Sequence, residues 1–141
     1  MILLDANILM YAAGSEHPHK EPSRLYLERV ARGEIDAALD AEVLQEVLHR
    51  YRAIQRWEDG RRVYDLARQI VPLVFPITAE ILDSARALLD SYPDLKARDA
   101  LHAAVAIGYG VEAICSYDTD FDQIADLRRI EPSKAPMEDA G

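Results

Sequence analysis

Four acidic residues lie at positions where catalytic or metal-binding side chains tend to collect. Asp5 directly follows a short apolar run, and Asp118 lies two residues beyond another such run. Asp99 falls in the first turn of a predicted helix, and Glu46 lies one and a half turns into another. In open parallel sheets, ligands bind beyond the carboxyl ends of the strands, where such residues can meet. Converging carboxylates repel each other unless a cation lies between them, so the pattern predicts a divalent metal site.

Mg²⁺ or Mn²⁺ is the expected metal, because both ions accept a few carboxylates together with water and substrate phosphate. Taken singly, each acid also has a structural explanation as a turn residue, a helix-dipole partner or a loop acid. Only the combination favours a site. His49 and His102 are interpreted as solvent-exposed or supporting residues and not as zinc ligands, since no cysteine and no His-Glu-x-x-His pattern accompanies them.

Short apolar runs alternate with amphipathic segments along the chain. The runs predict strands over 2–4, 35–39, 73–75 and 113–116. The amphipathic segments predict helices over 8–13, 23–31, 41–51, 61–70, 78–89 and 97–108, with Asp40 as the N-cap of the third. This alternation predicts an α/β protein, a three-layer α/β/α sandwich with a mainly parallel central sheet. We expect one domain over residues 1–132 and a flexible C-terminal tail over 133–141.

Composition limits where the protein works and what it binds. The chain has 141 residues, of which 50% are hydrophobic and 29% charged, as expected for a folded domain with one core. Cys115 is the only cysteine, the start of the chain has no basic leader, and no run of apolar residues could span a membrane, so we expect a cytoplasmic protein. The net charge of -9 argues against binding nucleic acid through phosphate contacts alone, unless bound cations supply positive charge locally.

Four segments resemble, in order, the motifs of the PIN-domain family and in particular of its VapC toxins. They are Leu-Asp-Ala-Asn-Ile-Leu at 4–9, Asp-Ala-Glu-Val-Leu-Gln-Glu-Val at 40–47, Arg-Asp-Ala-Leu-His-Ala-Ala at 98–104 and Ser-Tyr-Asp-Thr-Asp-Phe at 116–121. The resemblance implies a PIN-like fold and an endoribonuclease that cleaves structured RNA with a metal-activated water. It also implies a VapB-type antitoxin as partner and a homodimer.

The resemblance also assigns roles to residues of this chain. Asp5, Glu46, Asp99 and Asp118 correspond to the family's acidic quartet. Asp5 and Asp99 would anchor the metal, with the other two acids completing the pocket directly or through water. Asn7 and Ser116 correspond to polar residues that orient the acids.

Neighbouring residues leave some of these roles open. Glu42 lies one turn from Glu46 and could replace it, although Glu46 fits the family spacing better. Asp120 and Asp122 rank after Asp118 for the last acidic position. A stretch rich in arginine is either an RNA-docking surface or a solvated helix surface. The arginines are Arg50, Arg52, Arg56, Arg61, Arg62 and Arg68, and the docking hypothesis rests mainly on Arg50, Arg56, Arg61 and Arg62.

Two other functions are compatible with an aspartate after the first strand. A phosphatase could use Asp5 as a phosphoryl-accepting nucleophile, but it would need a second acid at position 7 and a lysine after a later strand. Asn7 occupies the first place, and Lys96 precedes a helix instead. A binding module without catalysis is the other possibility, and the presence of all four acids argues against it.

Overall fold

The computed structural model describes residues 1–132, and its centre is a five-stranded sheet. The strand order is β3-β2-β1-β4-β5, and every pair of neighbouring strands is parallel. The strands are β1 (Ile2–Leu4), β2 (Ala37–Asp40), β3 (Val74–Phe75), β4 (Ala113–Cys115) and β5 (Arg129–Ile130). The predicted tail over 133–141 lies outside the described residues.

Six α-helices connect and cover the strands. They are α1 (Ala6–Ala13), α2 (Lys20–Ala31), α3 (Ala41–Ala53), α4 (Trp57–Ile70), α5 (Ala79–Ser91) and α6 (Ala97–Gly108), and a short 3-10 helix spans Thr119–Gln123. All six were predicted, but α1, α2 and α4 begin earlier than expected. Helix α2 includes Pro22 in its first turn, where the missing N–H of proline removes no intrahelical hydrogen bond. Helix α4 begins before Gly60.

Gly60 lies inside a helix because α3 and α4 approach each other closely at this position. A Cβ atom added to Gly60 would lie 2.5 Å from the Cβ of Tyr51, a distance that real side chains do not reach. Glycine costs up to about 1 kcal/mol relative to alanine within a helix. Here the close contact between the helices requires it.

The core is divided by the sheet, because successive strand residues point to opposite faces. Leu3 packs with Ile114 on the face covered by α5 and α6. Leu4 packs with Leu39 and Cys115 on the face covered by α1 to α4. Helices therefore lie on both faces of a parallel sheet, and the predicted three-layer α/β/α sandwich is confirmed.

The carboxyl ends of the three central strands each deliver a buried polar residue to one edge. Asp5 follows β1, Asp40 ends β2, and Ser116 follows β4, and all three are at most 6% exposed. Asp5 and Asp40 are also the N-caps of α1 and α3. Within residues 1–132, no helix is long and apolar enough to cross a membrane.

Candidate metal-binding active site

All four predicted acids meet at this carboxyl edge, in two adjoining groups. One group contains Asp5, Glu46 and His102, and the other contains Asp99, Asp118 and Asp120. Within each group, one ligand atom from every residue lies within 4.8 Å of the others. Each group is therefore compact enough to hold a cation.

Asp5 is fixed by hydrogen bonds on both carboxylate oxygens. Its Oδ1 accepts from the backbone N of Ala6 at 2.7 Å, and its Oδ2 accepts from Ser116 Oγ at 2.6 Å and from Asn7 Nδ2 at 3.3 Å. Burial raises the pKa of Asp5, while His102 and Ser116 act against that shift. Ser116 Oγ also accepts from the backbone N of Asp118 at 3.0 Å, so it connects the two groups.

His102 lies between two carboxylates in the interior, with 1% of its surface exposed. Its Nδ1 is 2.6 Å from Asp40 Oδ2, and its Nε2 is 2.6 Å from Glu46 Oε2 and 3.9 Å from Asp5 Oδ1. Burial alone would lower the pKa of His102, but the hydrogen bonds with Asp40 and Glu46 raise it well above its usual range. The residue therefore carries a positive charge among the acids and holds Glu46 in place.

Asp99 has the least compensated carboxylate of the cluster. It is 8% exposed, and its Oδ2 has no hydrogen-bond partner among residues 1–132. Burial and the neighbouring charges of Asp118 and Asp5 raise the pKa of Asp99 to about 7. A buried carboxylate oxygen without a donor is strongly disfavoured, and a cation would stabilise it.

The structure distinguishes between the acids that the sequence left as alternatives for the same position in the site. Glu46 contacts His102, whereas Glu42 lies nearby, where burial and the charge of Glu46 raise its pKa. Asp120 belongs to the group of Asp99, and its Oδ2 is 3.6 Å from the exposed Lys96 Nζ. Asp122 instead accepts two hydrogen bonds from Arg129, at 2.9 and 3.2 Å. Asp122 is thus engaged with Arg129 and is not part of either acid group.

The arginines of the docking hypothesis occupy different surroundings. Arg50 lines a groove that also contains Asn7 and Glu46. Arg56, Arg61 and Arg62 lie at or near the start of α4, where each pairs with an acid of that helix, either Glu58 or Asp59. Their role in RNA binding stays a prediction, and the geometry favours Arg50 because it borders the acids.

Sequence reasoning gave Asp40 and Arg98 no role in the site, and it left His102 as either solvent-exposed or supporting. Asp40 was interpreted only as a helix cap, and its Oδ1 does cap α3 at 2.9 Å from Val43 N, but its other oxygen holds His102. Arg98 lies within one of the four motifs, and its Nη1 is 3.4 Å from Glu46 Oε1. One signal could have located His102. It lies three residues after Asp99 on α6, and residues at that spacing share a helix face.

Comparisons with known proteins agree with this fold and identify its family. A PIN-domain family model matches residues 2–127. Ribonuclease VapC13 of Mycobacterium tuberculosis is 41% identical over 130 residues, which cover 92% of this chain and 99% of that protein. Ribonuclease VapC7 of the same organism is 35% identical over 141 residues, covering 97% of this chain and 95% of that protein. The chain therefore belongs to the PIN-domain family and, within it, to the VapC ribonucleases.

Solved structures show the same fold at lower identity. The crystal structure of Mycobacterium tuberculosis VapC20, a toxin that cleaves the sarcin-ricin loop, has a TM-score of 0.73 at 15% identity and covers 89% of this chain and 95% of that one. VapBC2 from Rickettsia felis, bound to a promoter DNA fragment, has a TM-score of 0.73 at 20% identity, with 93% and 98% covered. The predicted resemblance to VapC-type PIN domains is confirmed.

Proposed function

We propose that this protein is a Mg²⁺- or Mn²⁺-dependent endoribonuclease, acting in the cytoplasm as the toxin of a toxin-antitoxin pair. Membership of the VapC ribonucleases supports the reaction class. The observation that carries the metal dependence is the buried oxygen of Asp99, which has no donor within residues 1–132 and lies among other acids. Carboxylate oxygens at such an edge are the donor set that Mg²⁺ and Mn²⁺ prefer.

The residues of the cluster have different proposed roles in binding the ion. Asp5 and Asp99 would hold the metal, and Glu46 and Asp118 would complete the pocket directly or through water. A bound divalent ion activates water at neutral pH and stabilises charge on a phosphate undergoing displacement. Asn7 and Ser116 keep the Asp5 carboxylate oriented through the hydrogen bonds described above. No covalent intermediate with the protein is required.

The direct test is an RNA cleavage assay with the purified protein. We expect cleavage with Mg²⁺ or Mn²⁺, loss of cleavage in chelator, and recovery when the ion is restored. Asp99→Asn protein, purified in parallel, should remain inactive under all three conditions and thus controls for contaminating ribonucleases. Cleavage that persists in chelator, or equal activity in the two proteins, would refute the proposal.

The phosphatase alternative is not favoured by the site. Asp5 is held by Ala6, Asn7 and Ser116, and the residue at position 7 is an amide that donates to Asp5 instead of a second acid. Lys96 pairs with Asp120. The lysine that such an enzyme needs beside its nucleophile is therefore not supplied by Lys96.

A small VapB-type antitoxin is the expected partner, and the protein offers it two features. The acid cluster could accept an arginine or lysine of the antitoxin, which would form charge-assisted hydrogen bonds and exclude metal. Helices α1, α2 and α4 also enclose an apolar groove of about 260 Å³, bordered by Leu9, Leu27 and the half-exposed Leu66. Such a groove accepts the apolar face of a helix.

Two variants distinguish these modes of inhibition. The Asp5→Asn, Asp99→Asn double mutant should bind the antitoxin more weakly if a cationic side chain enters the acid cluster. Leu66→Glu should weaken binding if the apolar groove is the main contact. Titration calorimetry with antitoxin recovered from the native source measures both. The homodimer implied by the family resemblance stays a prediction, to be checked by sedimentation velocity.

A further inference from the structure

Strand β5 contains only two residues and lies at one edge of the sheet, yet it holds both backbone polar groups of Ser116. Ser116 N donates to the carbonyl of Ile130 at 2.9 Å, and the carbonyl of Ser116 accepts from Arg129 Nη1 at 3.0 Å. Ser116 directly follows β4, so these contacts extend the β4–β5 pairing by one residue beyond the strand. The edge strand therefore fixes the backbone from which the Ser116 side chain projects.

The Ser116 side chain is the point at which the two acid groups meet. Its Oγ donates to Asp5 Oδ2 at 2.6 Å, and it accepts from the backbone N of Asp118 and from Asn7 Nδ2, both at 3.0 Å. Ser116 is fully buried. A displacement of its hydroxyl would therefore disturb Asp5 in one group and Asp118 in the other.

The guanidinium of Arg129 is held in a fixed orientation beside Ser116. Only 14% of the Arg129 side chain is exposed. Its Nε and Nη2 donate to the two carboxylate oxygens of Asp122 at 2.9 and 3.2 Å, and its Nη1 donates to Glu131 Oε2 at 2.7 Å. These contacts use the planar fork of donors that arginine carries and lysine lacks. The same fork keeps Nη1 directed at the Ser116 carbonyl.

We propose that Arg129 is a positioning residue of the active site, which acts through the Ser116 carbonyl to keep the acid cluster in the geometry that binds the divalent ion. The inference rests on the proposed metal-dependent function and adds a residue from outside the cluster. The hydrogen bonds of Arg129 described above reach none of the residues in the two acid groups. Loss of a residue that orients metal ligands from behind typically lowers metal affinity or activity by roughly 10- to 100-fold.

The sign of the effect separates positioning from charge. Arg129 is a cation close to a site that is proposed to bind another cation, so removing its charge alone would strengthen metal binding by relieving repulsion. Removing a positioning residue should weaken metal binding instead, because Ser116 and the acids that it orients lose their support. A weaker affinity in a variant without Arg129 therefore cannot come from the lost charge.

Titration calorimetry with Mn²⁺ on the purified, metal-free protein tests the proposal. Arg129→Ala should bind Mn²⁺ about 10- to 100-fold more weakly than the parent. Arg129→Lys keeps a positive charge beside Asp122 and Glu131, but one ammonium group cannot bond both carboxylates and the Ser116 carbonyl together. We therefore expect Arg129→Lys to recover most of the melting temperature measured in chelator, while its Mn²⁺ binding stays weak. A purely structural role would restore both quantities together.

Arg128→Ala is the matched control. Arg128 precedes Arg129 in the chain, is exposed, and forms no ion pair within residues 1–132. Its replacement should leave the Mn²⁺ affinity unchanged or slightly stronger. Asp122→Asn keeps an oxygen that can accept from Arg129, and this variant should also bind Mn²⁺ like the parent.

The outcomes separate this inference from the proposed function. If the parent binds Mn²⁺ and the Arg129 variants bind it as tightly, the positioning role is refuted and the metal-dependent function stands. Parent-like Mn²⁺ affinity in Arg129→Lys alone would also refute it, because the charge would then suffice. If Arg129→Ala does not fold, the result for Arg129→Lys decides. A parent that binds no Mn²⁺ would refute the proposed metal dependence, and this inference would fall with it.

Discussion

The two groups of the acid cluster differ in how far the protein itself satisfies their carboxylates. In the first, Asp5 and Glu46 accept hydrogen bonds from neighbouring side chains, and His102 supplies a positive charge. In the second, one oxygen of the buried Asp99 has no donor among residues 1–132, and the side-chain cation nearest to Asp120 is the exposed Lys96 at 3.6 Å.

This difference assigns distinct tasks to the two groups. The first is preorganised, because its geometry is fixed by interactions that exist without metal. The second is electrostatically frustrated, and its energy falls when a cation arrives. Removing Asp40, which holds His102 of the first group, should therefore destabilise the protein, whereas removing the charge of Asp99 in the second group should stabilise the metal-free protein.

The largest effect should come from Asp99→Asn. We expect cleavage to be abolished, with a loss on the order of 10³-fold, because the variant removes a charge that the proposed metal ion would need. The melting temperature in chelator should equal or exceed that of the parent, since repulsion by Asp118 and Asp5 is relieved. Asp122→Asn, which alters an acid paired with Arg129, is the matched control. Full activity of purified Asp99→Asn protein would remove Asp99 from the site.

Asp40→Ala should have the opposite effect on stability. The substitution leaves the buried His102 without the carboxylate that contacts its Nδ1, and it also removes the N-cap of α3. We therefore expect a loss of about 3 kcal/mol in the free energy of unfolding. Cleavage should fall roughly 10- to 100-fold because Glu46 loses the support of an oriented His102. Urea denaturation measures the first quantity. Asp40→Asn, which keeps the capping oxygen, should recover part of the stability. An Asp40→Ala protein as stable as the parent would contradict the roles given to Asp40 here.

The pH dependence of stability should separate the groups in the metal-free protein. Because folding raises the pKa of Asp99 to about 7, the folded state retains a proton that the unfolded state has lost, and stability falls as pH rises from about 4 to 7. We expect a contribution on the order of 2 kcal/mol, absent in Asp99→Asn. The raised pKa of His102 adds stability that is complete below its unfolded pKa and is lost only as pH rises through its higher folded pKa. Chemical denaturation across pH in chelator measures both changes. Identical profiles of stability against pH for the parent and Asp99→Asn would contradict the contribution of Asp99.

The smallest effect should distinguish Asp120 from Asp122. Asp120→Asn should weaken Mn²⁺ binding several-fold, because Asp120 lies with Asp99 and Asp118, whereas Asp122→Asn should leave it unchanged. Titration calorimetry with Mn²⁺ measures both affinities. If both variants bind Mn²⁺ like the parent, the second group is limited to Asp99 and Asp118.

Local rules account for what could be predicted from the sequence. The apolar runs and amphipathic segments predicted the three-layer sandwich. Because Asp5 follows a strand and Asp99 lies at a helix start, the sequence also predicted that they meet at one edge of the sheet. Strand β5 was missed because its two residues are Arg129 and Ile130, which do not form an apolar run like that of β3. His102 was undervalued because its burial depends on how α6 meets α3, a tertiary contact that no local pattern encodes. The contact between the rings of Tyr11 and Tyr117 could not be predicted for the same reason, since the two residues are far apart in the chain.

The order of the strands also bears on how the protein is made. β1 is central and is bordered by β4, but Ser116 and Asp118 follow Asp5 more than 100 residues later in the chain. At about 5–20 residues per second, the ribosome needs on the order of ten seconds to span that interval. A nascent chain that has not yet reached Asp118 lacks part of the acid cluster. The cluster is therefore completed only after this interval, which delays the assembly of its acids in a newly made chain.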